Sequence, residues 1–383
     1  MSKRINLNKA SAEEYLAYLQ QKCSILSLEK LQKLPTYRAP PEFLDKGLQS
    51  LVGDQAREKE LKALKKLVER NMKKIQATTV PTNYQEKFLF SILKEYAEIV
   101  VSIAKEFNLQ IPKKIVIGTL PTGDVNALAI RVPSGGIIVA LDYGLFLFIH
   151  LLAKAVSEFF PERKDKNNKI AFSTKDEDIS RSLSANKEWH IRFVEVLLAY
   201  VVLSNPMFAR QYFQKGPARF MLSSVIRDSA EFFVVAHEYS HLILDHSAIE
   251  TLRQRNLLGQ VHIDEIVRNW KDELAADNLA LQMTLAFGQR HGYDLALSYV
   301  GIDFLFSCME IVEQASGLEP SVTHPPAGDR REHLREWLLH NLEAQSKGAL
   351  ELAKTTQRLI AELWARNKPL FERARTALIS EFG

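Results

Sequence analysis

Apolar residues recur at three-to-four spacing over most of this chain, which predicts helices, while a short central region breaks into β-branched runs between turn residues. Ser11 to Leu19 opens with Ser11 followed three residues later by Glu14, the spacing of a capping box. From Asp54 to Ile75, Leu61, Leu64, Val68, Met72 and Ile75 line one side of a charged amphipathic helix. That side either packs on the main body or contacts a partner or a second copy. Tyr84 to Phe107 carries Phe88, Ile92, Tyr96, Ile99 and Ile103 on one face. Ile115 to Ile117, Ala127 to Val132 and Gly136 to Leu141 then read as strands of a small antiparallel sheet, divided by Pro121, Gly123 and the corner at Pro133 to Gly135.

The second half is predicted helical again. An apolar helix spans Tyr143 to Phe160, followed by a polar insert, 161–187, whose Lys, Asp, Asn and Ser content predicts an exposed loop. Ile191 to Leu203 is helical, and a long helix starts between Pro217 and Arg227 and runs to about His246. Helices are expected again over Ile263 to Phe287 and Tyr293 to Gln314. After a turn-rich stretch from Gly317 to Gly328, a long charged C-terminal helix is expected, kinked at Pro369. The fold class is therefore α+β, mostly helical. Residues 1–83 form an N-terminal helical accessory region, 84–345 the main domain and 346–383 a C-terminal helical tail.

Composition narrows the function. Fifty basic against 46 acidic residues leave a net charge of only +4, with no basic run interleaved with aromatics, so no nucleic-acid partner is expected. Cys23 and Cys308 have no CxxC spacing and read as reduced thiols, which points to a cytoplasmic protein. The apolar runs are too short for a membrane span or carry charge, as Leu295 to Val312 does at Asp303 and Glu310, so no transmembrane segment is expected. GxSxG and GxxxxGK[ST] are absent, as is the HxE with PCxxC of nucleobase deaminases.

Chemistry concentrates in FFVVAHEYSHLILDH, residues 232–246. On a helix His237 and His241 stack on one face, where two imidazoles reach one ion. Glu238, rotated about 100° from His237, is better placed to act on a water than to ligate. By average composition HExxH arises by chance in roughly one chain in a hundred of this length, so a third ligand must be found. A metzincin would continue to a glycine and a histidine, but Leu244 holds the glycine position and His246 falls one residue early, about 140° round from His241.

The acids that follow are Glu250, Asp264, Glu265, Asp272, Glu273 and Asp277. The apolar stripe of the helix expected from Ile263 runs through Ile266, Trp270, Leu274 and Leu281, with Ala276 on another side. Glu273 and Asp277 fall on the stripe. Carboxylates facing a core need partners. Either an arginine, Arg227 or Arg330, pairs with them, or Glu273 is the third metal ligand and Asp277 hydrogen-bonds the outer nitrogen of a ligating histidine.

HEYSHLILDH followed by DELAAD resembles the gluzincin peptidases, most closely the CAAX-prenyl-protease and HtpX-like group with its HExxH, a further histidine five residues on, then ExxxD. Asn126, Ala127 and the strand from Gly136 are similar to that group's edge-strand segment, and Thr323, His324, Pro325 and Arg330 to its closing element. The resemblance covers roughly residues 110 to 340. It implies a zincin-like domain, Zn2+ on His237, His241 and Glu273, and Glu238 as the general base. Many members of that group carry membrane helices around these motifs, and this chain is expected to depart from them in lacking such helices. The resemblance also implies His324 or Arg330 as the oxyanion donor, His246 and Asp277 as supporting residues, and a protein or peptide substrate laid along Gly136, Ile137, Ile138, Val139 and Ala140. A fainter resemblance, to phage-exclusion proteases of the Lit kind, rests on an HExxH chain with an accessory N-terminal region. The rival from another class is a non-catalytic zinc-stabilised scaffold.

Overall fold

The computed structural model describes residues 6–31, 58–164, 170–214, 216–244, 251–257, 261–267, 269–317 and 325–382. The expected residues His246 and His324 lie outside these. Helix α1 (Ala12–Leu31) begins at the capping box: Ser11 N–H donates to Glu14 Oε2 at 2.8 Å and Glu14 N–H to Ser11 Oγ at 3.2 Å. It runs well past Leu19. Helices α2 (Glu58–Gln76) and α3 (Lys87–Glu106) follow and pack on each other.

The sheet is mixed rather than antiparallel. Strands β1 (Ile115–Leu120), β2 (Ala127–Arg131) and β3 (Ile137–Asp142) are joined by β6 (Thr251–Leu257) and β7 (Val261–Val267) in the order β1-β3-β2-β7-β6. β3 pairs antiparallel with β2 across the tight corner at Gly135 (φ 93°) and parallel with β1 on its other side. The strand over Gly136 to Ala140, expected at the edge, is therefore interior. Its backbone is taken on both sides, and no substrate can add to it.

The reason is visible in its composition. Ile137 to Leu141 is a continuous apolar run, as a strand covered on both faces should be. Ile138 and Ala140 face α1, packing with Leu16 and Leu19, while Val139 and Leu141 face the main helical core. A Cβ at Gly118 of β1 would overlap the Leu16 side chain, so glycine there lets α1 lie flat on the sheet. Buried polar groups lock that contact. Gln20 Nε2 donates to Gln85 Oε1 at 2.7 Å and to the Thr119 carbonyl at 2.8 Å.

After β3 come α4 (Tyr143–Ser157), a hairpin of β4 (Glu162–Lys164) and β5 (Ile170–Phe172), α5 (Asp176–Ala185) and α6 (Lys187–Val201). The polar insert is thus ordered over its described part. Ile179 and Leu183, one turn apart on α5, are buried, and three acids in its first turn suit the helix N-terminus. The central helix α7 (Pro217–Ile243) has proline in its first turn after Gly216 (φ 90°), and packs against α4, α8 (Trp270–Arg290) and α9 (Leu295–Ser316). α10 (Ala327–Leu342) and α11 (Lys347–Phe382) complete the chain. Trp364 and Phe371 of α11 are buried in the main core, against which this helix packs chiefly through α9.

The helix expected from Ile263 starts later. VHIDEIV alternates in sequence and pairs with β6, and Asn269 then caps α8 by accepting from the N–H groups of Lys271 and Asp272. Helix α9 is long and apolar enough to cross a membrane, yet most of it is inside the protein. Its buried Asp303 accepts from Arg335 Nε at 2.7 Å and Nη2 at 2.9 Å.

Candidate metal centre

The HExxH segment occupies the last two turns of α7, where FFVVA supplies the apolar face that sinks the helix into the core. Phe232, Val235 and Ala236 are fully buried. His237 and His241 project one turn apart, and their Nε2 atoms lie 3.0 Å from each other. Helix α8 crosses α7 at this point. The Asn269 cap places Glu273 in its first turn, with Oε1 3.2 Å from His241 Nε2 and Oε2 3.5 Å from His237 Nε2. The two imidazole nitrogens and the Glu273 carboxylate thus form a triangle, 3.0 Å between the nitrogens and 3.2 and 3.5 Å from them to separate oxygens of the carboxylate. Donors about 2.1 Å from one tetrahedral ion stand roughly 3.4 Å apart, so the residues fit a metal without rearrangement. All three are buried, and together they could hold a metal ion.

The face of α8 that turns inward differs from the stripe expected of it. Trp270 is 46 % exposed, and Ala276 is fully buried beside Asp277. The buried face includes Glu273, Ala276, Asp277, Ala280 and Thr284 and keeps Leu281 of the expected stripe, but not Trp270, because the helix begins there and Ile266 belongs to a strand. The two carboxylates are buried as anticipated, for a partly mistaken reason.

Asp277 is enclosed. Its Oδ1 lies 2.9 Å from His237 Nδ1, the ring nitrogen that points away from the triangle. Arg330 of α10 grips the same carboxylate, Nε donating to Oδ2 at 2.7 Å and Nη2 to Oδ1 at 2.6 Å. Burial pushes the Asp277 carboxyl up, but the Arg330 guanidinium and the His237 ring overcome this and hold it at about 2. Burial likewise disfavours a charged His237, yet the Asp277 and Glu273 carboxylates raise it to about 10. An environment that favours an imidazolium so strongly also favours a divalent cation in the same place. Arg330 lies over the Phe306 ring at 4.9 Å and has its Nη2 3.9 Å from Glu273 Oε2. It braces the ligand helix from α10. The arginine thus takes Asp277, while Glu273 stands against the two imidazoles.

His237, Glu238, His241 and Glu273 line a cavity of about 290 Å³. Its apolar wall includes Leu145, Phe233, Leu305, Phe306 and Met309, and Arg330 reaches its rim with Asn126 and Glu313. The sheet borders it through Ala127 and Ala129 of β2, while β3 does not line it. Asn126 Nδ2 is buried without a hydrogen-bond acceptor. Leu305, Phe306 and Met309 gave no signal in the sequence, since one apolar face of a core helix looks the same whether it meets a cavity or another side chain.

No family model matches the sequence, and no curated protein or solved structure matches it.

Proposed function

We propose that this protein is a zinc-dependent endopeptidase of the gluzincin kind. The observation that carries the reading is the triangle of His237 Nε2, His241 Nε2 and Glu273 with Glu238 lining the same cavity. Three protein donors leave a tetrahedral ion one open position, the mark of a catalytic rather than a structural zinc. A zinc ion held there supplies Lewis acidity for a peptide carbonyl and lowers the pKa of water toward 7.

The remaining work falls to the chain. Glu238 takes the proton of the attacking water and delivers it to the leaving amine. Asp277 fixes the His237 ring so that Nε2 faces the triangle, and Arg330 fixes Asp277. Two Arg330 nitrogens are committed to that carboxylate, so Arg330 acts chiefly as a positioning residue. The apolar wall of Phe233, Leu305, Phe306 and Met309 excludes water from a bound side chain.

The test separates metal from chemistry. The Glu238→Gln protein should retain one zinc by elemental analysis and lose peptidase activity on an unfolded-peptide library by about 10² to 10⁴-fold. Undiminished cleavage by that variant sinks the role of Glu238, and zinc-free wild-type protein from zinc-replete growth sinks the metal centre.

A further inference from the structure

A second cavity among the described residues is larger than the metal site. About 800 Å³ in volume, it lies against the first half of α7, bounded by α2, α3, α4 and the end of α8. Into it faces Glu231, two helical turns before Glu238 and 3 % exposed. Its one hydrogen bond is long, from Tyr96 O–H to Oε2 at 3.4 Å. Arg227 attracts this carboxyl by charge but donates its Nε and Nη2 to Asp228 Oδ1, at 3.0 and 2.7 Å, rather than to Glu231. A buried carboxyl this poorly partnered is costly, and burial raises it to about 8 despite Arg227.

The rest of the lining says what would satisfy it. Lys74 and Arg227 face three carboxyls, Glu95, Asp228 and Glu231, so one positive charge is missing once Glu231 ionises. His150 does not supply it, because burial and the neighbouring Lys154 and Arg227 push its pKa well below the ordinary histidine value. Around Glu231 stand the rings of Tyr96, Phe146 and Phe287, with Phe88 at the mouth. Aromatic faces attract a cation, and the carboxylate requires a hydrogen-bond donor. The volume lies within the range of small-molecule sites.

We propose that this cavity is a second ligand site that takes a small primary ammonium with an apolar body, its N–H groups bonding Glu231 and its body lying among the rings. The proposal does not depend on peptidase activity. It adds to α7 a charge-selective site whose lining shares no residue with that of the metal cavity.

Isothermal titration tests it with 2-phenylethylamine, its uncharged counterpart 2-phenylethanol, and the anion 3-phenylpropanoate. The amine should bind one equivalent, about tenfold or more tighter than the other two. Glu231→Gln, which keeps the shape, should weaken the amine by a similar factor. Phe88→Ala at the exposed mouth should weaken it severalfold without lowering Tm. Glu238→Gln and zinc loading should leave amine binding unchanged. Equal binding of all three probes, no binding of the amine at millimolar concentration, or undiminished binding by Glu231→Gln would overturn the proposal. So would loss of amine binding on zinc loading, which would place the amine in the metal cavity.

Discussion

The middle and the C-terminal end of helix α7 bury acids under opposite conditions. At its C-terminal end every buried carboxylate that faces the site from α8 is partnered, Glu273 by two imidazoles and Asp277 by an imidazole and a bidentate guanidinium. Near its middle Glu231 has a tyrosine hydroxyl at 3.4 Å and a cavity. The first arrangement is preorganised around a cation by the protein's own groups; the second awaits one from outside. Burial alone therefore does not mark a metal ligand. What marks it is convergence of several donor atoms on one point, which the Glu273 end has and the Glu231 end lacks.

Substitutions can break or sharpen this contrast. The largest effect is expected from Arg330→Met, which leaves Asp277 charged and half-partnered in the core and should cost about 3–5 kcal/mol, read by urea denaturation. A loss below about 1 kcal/mol would show that Asp277 does not rely on Arg330.

Glu231 should behave in the reverse sense. Its folded pKa of about 8 lies above the unfolded carboxyl value of about 4.3, so its contribution is fully present below about pH 4 and is lost as pH rises through 8. Tyr96, Arg227, Asp228, Lys74, Glu95, His150 and His291 face the same cavity. Glu231→Gln should therefore raise Tm relative to wild type at pH 9, by stability on the order of a few kcal/mol, with the gap closing near pH 5. A gap independent of pH, measured by thermal scans, would remove the charge argument.

Asp277→Asn removes the carboxylate that orients His237. Zinc affinity should fall about 10- to 100-fold in competition with a chelator, with the ligands still in place. The smallest effect belongs to Ser11→Ala at the N-terminal cap of α1. It should cost about 1 kcal/mol. If it costs nothing, α1 is held on the sheet by Leu16, Leu19 and the Gln20 network alone.

Much of this protein was legible in its sequence because the signals are local. Helical periodicity placed helices α3, α4 and α7, the Ser11–Glu14 pair announced α1, and i,i+4 spacing put His237 and His241 on one face, since all of these depend only on 3.6 residues per turn. The buried side of α3 is nevertheless Phe90, Leu93, Tyr96, Val100 and Ile103, with the expected Phe88 exposed. Pairing decisions were not legible. That β3 is interior, that β1 runs parallel to it and that Ile263 lies in a strand depend on which distant segment covers which backbone edge. The sequence proposed Glu273 as a ligand from a stripe that the fold uses only in part, burying Leu281 and leaving Trp270 exposed. Only the crossing of α8 over α7, held by Arg330 from α10, brings its carboxylate within 3.2 and 3.5 Å of the two imidazoles. Glu231 carried no motif at all, and its meaning appears only when four other helices enclose the space in front of it.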